Sequence, residues 1–95
     1  MTTAVPVATR FLVEWYRPNL TRELIDGMVA RLNEAIARMS ADGSPLWLVM
    51  TVAVPTDEVL YGVFAADSPD VVRAACEQAG SVPERMSVDI DARAF

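Results

Sequence analysis

Leu46-Trp47-Leu48-Val49-Met50-Thr51-Val52-Ala53-Val54 is followed by Pro55-Thr56-Asp57-Glu58, and then by Val59-Leu60-Tyr61-Gly62-Val63-Phe64-Ala65-Ala66. Both long runs are rich in β-branched and aromatic residues, and a short set of turn formers separates them. Two such runs joined this way predict a β-hairpin. A strand with one wet face alternates apolar and polar residues; these two strands are apolar on both faces. Whatever fold holds this hairpin must cover both sides of it.

Outward from the hairpin, the chain supplies the covering pieces. On the N-terminal side, Arg10-Phe11-Leu12-Val13-Glu14-Trp15-Tyr16-Arg17 reads as another strand, stopped by Pro18-Asn19. Thr21 is a good N-cap with Glu23 in the first turn. Leu24, Ile25, Met28, Leu32, Ala35, Ile36 and Met39 then recur at helical spacing, and Asp42-Gly43 closes the helix. Gly27 inside it costs ~1 kcal/mol against alanine, which suggests close packing at that point. On the C-terminal side, Ser68-Pro69-Asp70 starts a second helix: N-cap serine, proline at the first position, acid in the first turn. Val71, Val72, Ala75 and Ala79 form its buried stripe, and Gly80 ends it. Met86-Ser87-Val88-Asp89-Ile90-Asp91-Ala92 alternates strictly and predicts a last strand with one polar face.

The order β-α-β-β-α-β is the ferredoxin-like split unit of the α+β class. Two helices lie on one face of a four-stranded antiparallel sheet. Residues 10–95 form this single domain, and residues 1–9 read as a flexible N-terminal arm without the basic region of a secretory signal. In this topology the second strand is an edge. An exposed apolar edge templates aggregation, and the helices leave one sheet face bare. A homodimer with the two sheets face to face answers both demands.

The totals narrow the chemistry. The chain has 95 residues, 53% of them hydrophobic, with a formal net charge of −5. It contains no histidine, and all eight of its Lys+Arg positions are arginine. The commonest general base, the commonest metal ligand and the Schiff-base amine are therefore absent. The acidic balance argues against a nucleic-acid partner, whose phosphates demand a basic face, and against an anionic membrane surface. A single cysteine, Cys76, fits a reducing compartment, and the cytoplasm is the expected location. The four glycines are scattered, so no phosphate-cradling loop is present. No metal and no cofactor are expected.

Several short matches in order carry a resemblance. They are Phe11-Leu12-Val13-Glu14, Leu20-Thr21-Arg22-Glu23-Leu24, Tyr61, Ala66-Asp67-Ser68-Pro69-Asp70-Val71-Val72, Ala79-Gly80 and Pro83-Glu84-Arg85-Met86. Over residues 10–91 the chain resembles a family of small bacterial domains typified by a nickel-binding ferredoxin-fold protein. The resemblance implies a dimeric α+β barrel. It does not carry over the metal, because family metal binders lean on histidine. More widely the chain is similar to dimeric α+β barrels that include cofactor-free monooxygenases, isomerases and lactonases acting on small aromatic or polyketide substrates. That wider similarity is one of architecture, and fold does not fix function.

Among chemistry-bearing residues Glu14 stands out. It lies in a central strand with Leu12 and Tyr16 on its own face. Burial of a carboxyl disfavours its charged form and suits it to general-base work. The alternative is a carboxylate paired with Arg10, Arg17 or Arg93, or facing solvent. Tyr61 is the matching catalytic candidate, as donor to a developing oxyanion. Trp15, Tyr16, Trp47, Met50 and Phe64 are the candidate substrate-binding residues; each equally suits a core or a dimer interface. Asp89 and Asp91 share a face of the last strand, either beside Glu14 as a carboxylate group or on a solvated edge.

Two functions compete. One is a cofactor-free enzyme on a small, largely apolar substrate, either an isomerase or cyclase moving protons or a cofactor-independent monooxygenase. The other is a non-catalytic ligand-binding or interaction dimer. An open pocket between helices and sheet, reached by Glu14, favours the first; a filled core with Glu14 paired to an arginine favours the second.

Overall fold

Pro55 ends the first hairpin strand because it has no amide hydrogen to give the ladder. The computed structural model, which describes residues 8–93, resolves the hairpin as β2 (Leu46–Val54) and β3 (Val59–Ala66), joined by a 3-10 turn at Pro55–Asp57. Glu58 closes the turn in the left-handed region, and its amide donates to the Pro55 carbonyl at 3.1 Å. The remaining elements are β1 (Thr9–Tyr16), α1 (Arg22–Ala41), α2 (Pro69–Gln78) and β4 (Arg85–Val88). The sheet order is β2-β3-β1-β4, with every pair antiparallel. This is the expected ferredoxin-like arrangement. The expected N-terminal arm lies outside the described residues except for its last two, and Thr9 already belongs to β1.

Both helices begin and end as their sequences require. The Thr21 hydroxyl accepts from the Leu24 amide at 3.2 Å, and the Ser68 hydroxyl accepts from the Val71 amide at 3.4 Å. Each satisfies one orphan donor of a helix start. At the other ends Gly43 and Gly80 take positive φ (92° and 71°). That turn lets the next amide reach back: Ser44 to the Met39 carbonyl at 2.8 Å and Ser81 to the Cys76 carbonyl at 2.9 Å.

The core lies between the helices and one sheet face. Met28, Leu32, Ala35 and Met39 of α1, Val72, Ala75 and Cys76 of α2, and Ala79 just after it pack on it. The sheet contributes Phe11, Val13 and Trp15 from β1 with Leu46, Leu60 and Phe64 from the hairpin. Trp15 and Phe64 meet edge to face with ring centroids 6.4 Å apart. The Trp15 indole N–H donates to the Ser81 carbonyl at 2.7 Å, which satisfies its one polar atom in the interior. Gly62, opposite Val13, lies under this indole: a Cβ there would come within 2.8 Å of Trp15 Cζ3.

Two expectations need correcting. Gly27 is not at a close helix contact; a Cβ there would meet only the flexible end of Arg31, at 3.3 Å. The last strand is shorter than its alternation suggests. Asp89 adopts a left-handed φ of 58°, so β4 stops at Val88 and the periodicity beyond it does not describe a strand. Among the described residues no helix is long and apolar enough to cross a membrane.

Candidate functional site on the open sheet face

Side chains of a strand alternate between faces, so the positions that do not face the helices line the other side of the sheet. On β1 these are Arg10, Leu12, Glu14 and Tyr16. The register places Ala65, Val63, Tyr61 and Val59 of β3 beside them in that order. Trp47, Met50 and Val52 of β2 continue the rows past Ala65, Val63 and Tyr61. Met50 shares the face with Trp47 because the ladder slips one residue at Val49. This bulge turns a separation of three into a same-face relation.

The face is unevenly covered. Val63, Ala65 and Val59 are buried, while Met50 is 49% exposed and Val52 44%. Against this apolar half stands a polar row. Tyr61 of β3, Glu14 of β1 and Arg85 of β4 are register neighbours across three strands. Glu14 is only 9% exposed. Its Oε1 accepts from the Tyr16 hydroxyl at 3.0 Å, and its Oε2 lies 3.7 Å from Arg85 Nε. The hydrogen bond to Glu14 holds the Tyr16 proton and raises that hydroxyl's pKa, with burial and the Glu14 charge adding to the effect. The end of β1 is fixed by Glu84, which accepts from the Tyr16 amide at 3.2 Å and from Arg17 at 2.8 Å.

The sequence candidates therefore divide. Glu14, Tyr61, Tyr16, Trp47 and Met50 share the open face. Trp15 and Phe64 do not: both point into the helix-covered core and are fully buried there. Trp15 is the sequence neighbour of Glu14, and Phe64 is three residues from Tyr61 on a regular strand, so alternation alone puts each on the opposite side. Space between helices and sheet is filled by the core rather than left as a pocket reached by Glu14.

Glu14 does pair with an arginine, but with Arg85 rather than Arg10, Arg17 or Arg93. The signal for Arg85 is its place at the start of the last strand, which an antiparallel β1–β4 pairing sets opposite Glu14. Asp89 and Asp91 do not join Glu14. Asp91 is instead held by Arg93 through contacts of 2.8–3.2 Å. Among the described residues no group of three or more histidine, cysteine or acidic side chains is gathered to hold a metal ion.

Two concavities lie away from the polar row's centre. One, about 300 Å³, runs between α2 and the start of β4, with Arg73, Glu77, Val82 and Pro83 in its walls, and it touches the row's end at Arg85. The other, about 220 Å³, lies at the far end of the open face, lined by Arg10, Val49, Met50, Ala92 and Arg93.

No protein-family model matches the chain, and no curated protein sequence matches it. Among solved structures the chain is similar to SCO4226 from Streptomyces coelicolor A3(2). The TM-score is 0.67 at 15% identity, over 90% of this chain and 99% of that one. At that identity the likeness is one of fold.

Proposed function

We propose that this chain is a homodimeric small-molecule-binding domain of the dimeric α+β barrel kind. Two open sheet faces pack around a shared apolar chamber, and the Tyr61–Glu14–Arg85 row supplies the polar contacts to a ligand. One observation carries the reading: half-exposed Met50 and Val52 lie on the same sheet face as an almost fully buried carboxylate. An apolar wall with a few convergent polar groups is the usual make-up of a small-molecule site. The resemblance to nickel-binding ferredoxin-fold domains supports the pairing of sheets. Cys76, buried and unpaired, supports a reducing, cytoplasmic setting.

Binding ranks ahead of catalysis because both Glu14 oxygens already have partners and the helix–sheet interior is full. One observation favours the catalytic alternative, an isomerase, cyclase or cofactor-independent monooxygenase. Glu14 and Tyr61 are direct cross-strand neighbours on a largely apolar face. There Glu14 would accept a proton and Tyr61 would donate to a developing oxyanion.

Sedimentation tests the assembly. The expected result is a dimer at micromolar concentration, converted to a folded monomer by Val52→Glu, which places a charge on the apolar face. A wild-type monomer under those conditions overturns the reading.

A further inference from the structure

Arg10 enters the open face from the start of β1, opposite Ala65. It reaches the 220 Å³ concavity that Val49 and Met50 of β2 line from the other side. The segment after β4 forms a further wall: the Ile90 amide donates to the Arg10 carbonyl at 3.1 Å, and Ala92 and Arg93 follow into the lining.

The charges there are unbalanced. Arg10 Nη1 is buried and has no hydrogen-bond partner among the described residues. Arg93 is already committed to Asp91. A buried cationic N–H without an acceptor is costly, so natural structures rarely keep one idle. In a chain whose net charge is −5, a half-buried arginine with a buried N–H that has no partner among the described residues, set beside apolar side chains, is a specific feature rather than a sample of average surface. The donor calls for an anion. The other walls, Val49, Met50 and Ala92, call for hydrocarbon. A phosphate would need more donors than this lining provides; a carboxylate needs few and pairs well with guanidinium.

We propose that this concavity is the subsite for the acid end of a small apolar monocarboxylate, held by Arg10 with its hydrocarbon part against Val49 and Met50. The proposal rests on the ligand-binding reading above and names the ligand class. It places the acid group at one end of the open face and leaves the Glu14 row to meet the rest of a longer ligand.

Octanoate is a suitable probe, with octanol as its uncharged match. Titration of the full chain is followed by calorimetry and by the methyl resonances of Val49, Met50 and Ala92. Octanoate is expected to bind roughly tenfold or more tightly than octanol, the scale of one charge-assisted hydrogen bond, and to shift those methyls. Arg10→Gln should abolish that preference and Arg10→Lys should restore part of it. Met50→Ala, at a half-exposed position that tolerates change, should weaken both probes alike. Equal affinities for the two probes, a preference that survives Arg10→Gln, or displacement of octanoate by equimolar inorganic phosphate would each overturn the subsite. Sedimentation of the same samples separates the two proposals. A dimer without the carboxylate preference removes the subsite alone, and a monomer that keeps the preference removes the dimeric reading alone.

Discussion

Glu14 fixes its surroundings through one proton that it does not own. Its Oε1 takes the Tyr16 hydroxyl, and the bond raises the Tyr16 pKa above its ordinary 10.0; Arg85 opposes the shift. Inside the core, burial pushes the Cys76 thiol from 9.0 up to about 12. Both groups hold their protons more tightly when folded than when unfolded. For such groups the stabilising contribution is complete below the unfolded pKa and is lost as pH rises through the folded one. The contribution of these two groups to stability should therefore be constant up to about pH 9, the ordinary thiol value, and decline toward about 12. Tyr16 is half-exposed, so water screens its share and Cys76 dominates the decline. Denaturation midpoints measured across that range check the slope. The Tyr16 ring resonances check the hydrogen bond: they should titrate above 10.0 in the wild type and return toward it in Glu14→Gln. A Tyr16 that titrates normally in the wild type would show that the bond does not persist in solution. The same variant bears on catalysis. If a reaction is found, Glu14→Gln should lower turnover about 10²-fold or more, the scale of a lost general base; unchanged turnover in a folded dimer removes Glu14 from that role.

Two glycines separate what an element needs from what it tolerates. In β3, a Cβ at Gly62 would press on the Trp15 ring at 2.8 Å and 3.0 Å and on Val13 at 3.3 Å. Trp15 is fully buried and anchored by its bond to Ser81, so the ring has little room to yield. Gly62→Ala should destabilise by about 1–3 kcal/mol, the range for overpacking a filled core. In α1, Gly27 faces only the flexible tip of Arg31, and alanine there should stabilise by roughly 0.5–1 kcal/mol through helix propensity. Urea titration of both variants reads the opposite signs. The contrast also shows what the sequence displays at this level. Thr21, Ser68, Gly43 and Gly80 announce both helices, since caps are local chemistry. The hairpin and the strand order follow from period and order alone. Face assignment was equally legible for Trp15 and Phe64: alternation sets them against Glu14 and Tyr61, and grouping aromatics by type misplaces them. Other features need the third dimension. Trp47 and Met50 come together only through the bulge at Val49, which no residue type there signals. Arg85 meets Glu14 only once the β1–β4 register is set. Asp89 ends β4 by a left-handed turn that an alternating pattern conceals.

Across the whole molecule, the donor set decides what a ferredoxin-like domain of this kind can bind. The resemblance to nickel-binding domains that the sequence suggests would bring architecture alone, while tight nickel or zinc sites require nitrogen or thiolate ligands in number. This chain has no histidine at all. Its one thiol is buried on the core side of α2 and, with a pKa of about 12, stays protonated where metals would be offered. The carboxylates are dispersed: Glu14 is engaged with Tyr16 and Arg85, Glu84 with Arg17, Asp91 with Arg93 and Asp70 with Arg73. Recruiting any of these four to a cation would first break an arginine contact, and among the described residues no three acidic, histidine or cysteine side chains gather in one place. In the proposed dimer, pairing two sheets face to face would bring two Glu14 carboxylates toward one chamber, but each would arrive with its own Arg85, so the chamber would gain no uncompensated negative charge from them. Calorimetric titration of the protein with nickel and with zinc should accordingly show no submicromolar binding, and neither ion should raise the thermal midpoint at a few equivalents. A stoichiometric submicromolar site would mean that subunits of the proposed dimer assemble a ligand set absent from the single chain, and the proposed chamber would then be a metal centre rather than a seat for an apolar acid.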